Sequence, residues 1–376
     1  MDQLICSNCS TTYALNEPIW RCTECGAILD LDFTPVFDLI KINGRPHNLW
    51  RYREAIPIKR EASIVSFDEG FTPLLEVPFK GRPVWVKQDQ LFPTGSYKDR
   101  GATVLITKMK ELGIGSCVED SSGNAGCAVA AYCARAGIAC DIYVPHDTAQ
   151  AKLAQIQLYG ARLVRVPGSR EDTAAAVMEA AQAWYYASHS WNPFFFQGTK
   201  TFAYEVCEQL GWRAPDVVIL PAGNGTLLLG AQIGFMELHR AGLISQEPRL
   251  VAVQSEACAP LAQAWSQNLD KIPTIHKQDT LAEGIAIATP IRGRQIVQAV
   301  RRSGGEFITV SDAEVKTMLK SLCARGYYIE PTAAAAAAGV EKYLAQHPRD
   351  ELVVSVFTGS GLKATEKMLA LCEPGA

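Results

Sequence analysis

Lys98 stands in the run Gly95-Ser96-Tyr97-Lys98-Asp99-Arg100, a setting suited to covalent amine chemistry. The preceding Pro83-Val84-Trp85-Val86-Lys87 has the β-branched and aromatic character of a strand, and Phe92-Pro93-Thr94-Gly95 supplies a turn. Ser96 is expected to cap a helix from about residue 98 to 112, which places Lys98 in its first turn. A helix N-terminus disfavours positive charge and burial adds to this, so the neutral, nucleophilic amine is favoured. A lone lysine at a helix start is ordinarily a solvated surface residue. Asp99 beside it reads as a partner for Arg100 or a helix cap rather than a reacting group.

Three further motifs each follow an expected strand and precede an expected helix, where open α/β sheets bind ligands. In Asp120-Ser121-Ser122-Gly123-Asn124-Ala125-Gly126, the short hydroxyls and amides of Ser121, Ser122 and Gly123 can receive a carboxylate. The Asn124 amide can bond a ring or carbonyl oxygen, although ordinary capping would use the same residue types. In Pro221-Ala222-Gly223-Asn224-Gly225-Thr226, ahead of a helix starting at Leu227, glycines let backbone amides turn toward one anion. The run lacks the Lys-Ser/Thr pair of a nucleotide P-loop and the full dinucleotide fingerprint, so it reads as a small phosphate cup. Phe357-Thr358-Gly359-Ser360-Gly361-Leu362-Lys363 offers the Thr358 hydroxyl at a strand's carboxyl end.

One amine, one phosphate cup, one asparagine and one strand-end hydroxyl are what pyridoxal phosphate requires. The lysine forms a Schiff base with its aldehyde, the glycine turn holds its phosphate, and the asparagine bonds its ring oxygen. The hydroxyl meets the ring nitrogen. Unlike a carboxylate, a hydroxyl does not hold that nitrogen protonated, which favours eliminations and replacements over transamination.

The twelve cysteines fall into two populations. Cys6, Cys9, Cys22 and Cys25 form two Cys-x2-Cys pairs able to close a tetrahedral shell, which reads as structural Zn2+. All four ligand positions come from protein, so the metal has no open position for catalysis. A segment this short needs that metal to fold. Cys117, Cys127, Cys133, Cys140, Cys207, Cys258, Cys323 and Cys372 are scattered singly and read as small hydrophobes. Arg21 is the only basic residue within the cysteine-rich stretch, which argues against nucleic-acid binding there. The net charge of −3 gives no argument for nucleic acid or acidic membrane elsewhere. No apolar run approaches a membrane span and no signal peptide is evident, so a cytoplasmic protein is expected.

Around these motifs the chain alternates strand and helix. Strands are expected at 84–86, 117–119, 140–144, 162–166, 217–220, 250–254 and 352–357. Helices are expected at 125–136, 149–159, 170–186, 200–210 and 227–241. This alternation implies parallel sheets covered by helices, and the number of elements implies two α/β units. The expected order is a zinc-ribbon module over 1–32, then a linker and first part of a large domain over 33–82. A small α/β domain over 83–190 and a large cofactor-binding α/β domain over 191–376 follow. Six consecutive alanines within 332–338 suit a helix closely approached by a neighbouring element.

At these residues the chain resembles the fold-type II pyridoxal-phosphate enzymes, and within them the threonine synthases. The resemblance spans roughly residues 65 to 372. It rests most on Glu69-Gly70-Phe71-Thr72-Pro73-Leu74, on Pro93 through Gly101, on Gly198-Thr199-Lys200-Thr201 and on Thr358 through Lys363. It implies two open parallel-sheet, three-layer domains of the tryptophan-synthase-β-like fold, with an N-terminal zinc ribbon and a homodimeric assembly. It further implies Lys98 as Schiff-base lysine, Asn124 at the ring oxygen, and Gly223, Asn224, Gly225, Thr226 and Leu227 at the phosphate. Thr358 would face the ring nitrogen, and Ser121, Ser122, Gly123 and Lys200 would meet a small amino-acid substrate. Arg100, Arg292 and Arg294 are further candidate partners for anions. The implied reaction turns O-phospho-L-homoserine and water into L-threonine and phosphate. The Ser-Gly-Asn-Ala loop resembles serine and threonine dehydratases instead, so an ammonia-lyase or β-replacement synthase stays open. So does a catalytically silent, cofactor-binding regulator, against which the intact Lys98 argues.

Overall fold

A computed structural model of the chain describes residues 2–371, so Cys372 lies outside the described residues. The chain forms two compact units, each assembled from two separated segments. The first comprises Met1–Phe71 and Lys98–Thr199, the second Thr72–Tyr97 and Lys200–Ala376.

In the first unit a 4-stranded sheet runs in the order Arg162–Val166, Ala139–Pro145, Ser116–Glu119, Tyr185–Tyr186. All its pairings are parallel, with Cys117 between Cys140 and Tyr185. Val118, Ile142 and Val144 are buried, which is why the sheet strands read from sequence as apolar β-branched runs. The helix expected over 170–186 ends earlier, as Arg170–Ala180. Alanine-rich composition carried the helical reading too far. The two tyrosines beyond it are both buried and pair with Cys117 and Val118, as aromatic residues favour in strands.

Near the N-terminus a 3-stranded antiparallel sheet sets Gln3–Cys6 between Thr12–Ala14 and Leu29–Asp32. This ribbon does not stand apart from the first unit. Leu4, Leu15, Trp20 and Leu29 share one apolar core with Cys117, Val118 and Tyr186. Trp20 packs edge-on against Tyr186 at 5.0 Å and Trp191 at 5.6 Å.

The second unit is built on a 6-stranded sheet ordered Glu306–Val310, Arg249–Ser255, Val217–Pro221, Val353–Val356, Arg82–Lys87, Leu74–Phe79. Its pairings are parallel except the last. Arg82–Lys87, expected at the start of a small domain, is an inner strand of this sheet, because Val84 and Val86 are fully buried and need cover. The alanine run lies on the helix Pro331–Gln346, with Ala333–Ala336 fully buried. A Cβ added at Gly339 would come within 2.4 Å of Val253, so small residues set how closely this helix approaches the sheet. Among the described residues no helix is long and apolar enough to cross a membrane.

Candidate active site

Lys98 opens the helix Lys98–Glu111 in the first unit. It is half-buried, and its Nζ stands 5.6 Å from the centroid of the Phe195 ring. Phe195 belongs to the helix Pro193–Thr199, which approaches Lys98–Glu111 closely enough to require glycine on both sides. A Cβ at Gly101 would meet the Phe195 ring at 2.3 Å, and one at Gly198 the Arg100 carbonyl oxygen at 1.8 Å.

The strand Ser116–Glu119 delivers the Asp120 loop of the same unit. Asp120 accepts hydrogen bonds from Arg170 Nη2 and the Tyr186 hydroxyl, each at 2.6 Å. This fixes the base of the loop. A Cβ at Gly126 would strike the Ser121 carbonyl oxygen at 1.8 Å, so the loop lies directly on the first turn of the helix Asn124–Ala136. Ser121 and Ser122 are half-buried, Gly123 is exposed, and Asn124 begins the helix. Hydroxyls and amides at a helix N-terminus favour a carboxylate.

In the second unit, Gly225 has φ +64° and precedes the helix Thr226–Arg240. A Cβ there would meet Ile296 at 2.4 Å, and one at Gly223 would meet Ile285 and Ile287 at 2.9 Å. Side chains are therefore excluded at both glycines. Thr226 Oγ1 is held 2.9 Å from the Tyr97 hydroxyl, and Leu227 is buried.

Thr358, fully buried, follows the strand Val353–Val356, and its carbonyl accepts the Tyr97 N–H at 2.9 Å. Ser96 pairs in a β-bridge with Gly359. The expected Ser96 cap is not made: its Oγ is buried with no hydrogen-bond partner among the described residues. Residues 95–97 extend along the Thr358 loop instead of turning into a capping box, since Gly95 N–H and carbonyl are both taken by backbone bonds to Phe92 and Ser360.

The candidate cations differ in their surroundings. Lys200 is fully buried, with Nζ 2.9 Å from Glu237 Oε1. Tyr204 donates to the other oxygen of Glu237. Burial lowers the Lys200 pKa while Glu237 opposes the shift. Lys200→Met strands the Glu237 charge, and urea unfolding should show a loss of about 3–5 kcal/mol. An unchanged midpoint with a raised KM would instead make Lys200 a substrate ligand. Arg292 Nη1 donates to Gln295 at 2.9 Å, Arg100 is fully buried, and Arg294 is exposed.

The four N-terminal cysteines converge, all Sγ atoms lying within 4.8 Å of one another. Cys6–Cys25, Cys9–Cys22 and Cys9–Cys25 are each 3.5 Å apart. Tetrahedral zinc with ordinary Zn–S bonds needs sulfurs about 3.8 Å apart, so the four fit that ion. The Asn8 and Cys9 amides donate to Cys6 Sγ at 3.4 Å, as a thiolate knuckle requires.

Residues 65–359 match the family described as "Pyridoxal-phosphate dependent enzyme". The chain belongs to this family. Within it, the fold is that of the fold-type II enzymes. A protein named threonine synthase from Methanocaldococcus jannaschii is 35% identical over 98% of this chain and 94% of its own. Another so named, from Methanosarcina acetivorans, is 32% identical over 99% of this chain and 95% of its own. The solved processed form of threonine deaminase isoform 2 from Solanum lycopersicum superposes with TM-score 0.70 at 18% identity, over 95% of each chain. That likeness is one of fold alone.

The residues present fit the family's cofactor. Gly223 and Gly225, packed too closely against neighbouring isoleucines to carry side chains, stand at the N-terminus of a 15-residue helix, which suits a phosphate. Ser96 Oγ is a buried polar atom that a ligand would satisfy.

Sequence reasoning missed two carboxylates beside these loops. Glu330 follows no motif; the Glu-Pro step opening the alanine helix was the available signal. Its Oε1 accepts the Thr358 hydroxyl at 3.1 Å. Glu119 lies 2.8 Å from His189 Nδ1, and the pair is buried with Glu119 Oε2 unsatisfied. Burial, helped by the Asp120 charge and opposed by Arg170, pushes the Glu119 carboxyl well above its ordinary 4.5. Burial, with the charges of Lys98 and Arg170, holds His189 well below its ordinary 6.5. The folded pair thus keeps one proton, on Glu119, which donates to His189. Unfolded, the pair also carries one proton between pH 4.5 and 6.5, two below and none above. Its contribution to stability is therefore flat in that window and falls on either side. Glu119→Gln should remove the decline above pH 6.5 in the midpoint of chemical unfolding, and a decline of unchanged slope would refute the neutral pair.

Proposed function

We propose that the protein converts O-phospho-L-homoserine and water to L-threonine and phosphate, as a cytoplasmic homodimer. The observation carrying this reading is the 35% identity to a threonine synthase, which runs over 98% of the chain and so includes the cysteine ribbon. Bound pyridoxal phosphate supplies an electron sink for charge developing on the substrate. Lys98 would hold the cofactor through Nζ and, once released, take and return protons at that atom. Gly223, Asn224, Gly225, Thr226 and Leu227 would receive the cofactor phosphate, Asn124 its ring oxygen and Thr358 its ring nitrogen. Ser121, Ser122 and Gly123 would receive the substrate carboxylate, and Zn2+ on Cys6, Cys9, Cys22 and Cys25 would hold the ribbon.

A second reading, ammonia release from serine or threonine, is favoured by what borders Lys98 within the first unit. The Phe195 ring centroid lies 5.6 Å from Lys98 Nζ, and the buried Lys200, a candidate partner for a substrate anion, is already held by Glu237. Parallel assays separate the two. Phosphate release from O-phosphohomoserine is expected; keto-acid release from serine or threonine without it would overturn the first reading in favour of the second.

A further inference from the structure

Three of the eight cysteines that the sequence scatters singly converge inside the first unit. Cys117 and Cys140 are register partners on adjacent parallel strands, so both side chains leave the sheet on the same face. Cys133 lies in the last turn of the helix Asn124–Ala136. Gly137, at φ +69°, then turns the chain back into the strand Ala139–Pro145, which carries Cys140. The three Sγ atoms lie within 4.8 Å of one another, with those of Cys117 and Cys133 3.6 Å apart. Each cysteine is more than nine-tenths buried, in an apolar core shared with Val118, Val129 and Ile142.

Three soft sulfurs at this spacing can close on one thiophilic centre. The surroundings select its charge. Of the charged residues on these three elements, Glu119 and Asp141 are acids, while Arg135 is exposed and donates to the Ser66 carbonyl. The helix C-terminus beside Cys133 adds partial negative charge. Three thiolates around a divalent ion keep one negative charge, and around monovalent copper they keep two. Either is costly to bury here. Around a trivalent centre the charges cancel. We propose that Cys117, Cys133 and Cys140 form a binding site for a trivalent thiophilic centre, of which arsenite is the simplest source. As arsenous acid binds, three As–O bonds break and three As–S bonds form, and each thiol proton leaves with one hydroxide as water. Nothing is oxidised or reduced. The ribbon differs, because Cys9 and Cys25 are exposed and four thiolates around zinc can keep their net charge there.

The test uses the full-length protein, purified with zinc present and exposed to arsenite under a non-thiol reductant. Native mass spectrometry counts arsenic and zinc per chain, and X-ray absorption at the arsenic edge counts sulfur neighbours. One arsenic per chain, three sulfurs around it and undiminished zinc are expected. Cys117→Ala, Cys133→Ala and Cys140→Ala should each weaken arsenite binding about 10²-fold or more, since one of three tethered bonds is lost. Cys127→Ala, buried on the same helix but outside the cluster, should bind as wild type does. That variant separates loss of a ligand from loosening of the core. Incubation is repeated in sub-denaturing urea, because a sealed site fills only as the core opens. Absence of arsenic under both conditions overturns the inference. So does arsenic retained by the three cluster variants, or gained in step with zinc lost, which would place it on the ribbon. Equal weakening in Cys127→Ala, or cadmium held at these three cysteines as tightly as arsenite, overturns it as well.

Discussion

Lys98→Ala should yield a folded protein that retains no borohydride-reducible adduct with pyridoxal phosphate and has lost at least about 10⁴-fold in turnover. General acid–base work alone accounts for roughly 10²–10⁴-fold, and this lysine is proposed to hold the cofactor as well. The fold should survive because the helix is anchored elsewhere. Ala102, Val104, Leu105, Ile106 and Met109 are fully buried, while Lys98 is only half-buried at its start. Alanine is the best helix former, so the substitution adds no strain. Circular dichroism and thermal unfolding should therefore match wild type while the visible cofactor band disappears. A variant that still gave a reducible adduct would show that another amine holds the cofactor, and the Lys98 assignment would fall. Lys98→Arg keeps a long basic side chain beside Phe195 but replaces the primary amine with a guanidinium that cannot form the Schiff base, so it should be equally inactive.

Cys22→Ser should abolish binding of a stoichiometric zinc ion and destabilise the first unit more than any single core truncation. Structural zinc in small ribbons contributes about 10–16 kcal/mol of binding free energy that is also folding free energy. Without it the three short strands lose their closure. Leu4, Leu15, Trp20 and Leu29 then leave the core they share with Cys117 and Tyr186. The Trp20 contacts to Tyr186 and Trp191 make tryptophan fluorescence a direct reporter, with a red shift expected. Tyr186 also bonds Asp120, so a weaker Asp120 loop and a raised KM for substrate should accompany metal loss. Full metal content in the variant, or an unaltered melting temperature after chelation, would remove the structural-zinc reading.

The sheet strands were legible because buried parallel strands are nearly continuous apolar runs, and Val217–Pro221 shows no polar residue at all. The glycine-bearing loops were legible because strand-to-helix turns concentrate them, and Gly223, close against the Ile285 backbone, and Gly225, at φ +64°, leave no room for a side chain without strain. Local rules failed where distant segments decide the outcome. Ser96 follows every rule for a cap, yet its segment pairs with Gly359, more than two hundred residues away. Tyr185–Tyr186 extends a helical pattern yet pairs with Ser116–Glu119. Glu119, His189 and Glu330 carry no spacing signature, because each gains its meaning from a partner on another element.

The two units are interleaved along the chain, and this bears on synthesis from the N-terminus. The first unit cannot close until Thr199 has been made, and by then Thr72–Tyr97 has already emerged without its sheet. Within that segment, Arg82–Lys87 waits for Val353–Val356, its parallel neighbour near the far end. A nascent chain stalled anywhere between those points displays a buried-type strand with one unpaired edge, a template for association with other chains. The length of that wait makes translation pauses, chaperone supply and any premature stop before residue 353 the conditions under which this protein should aggregate rather than fold.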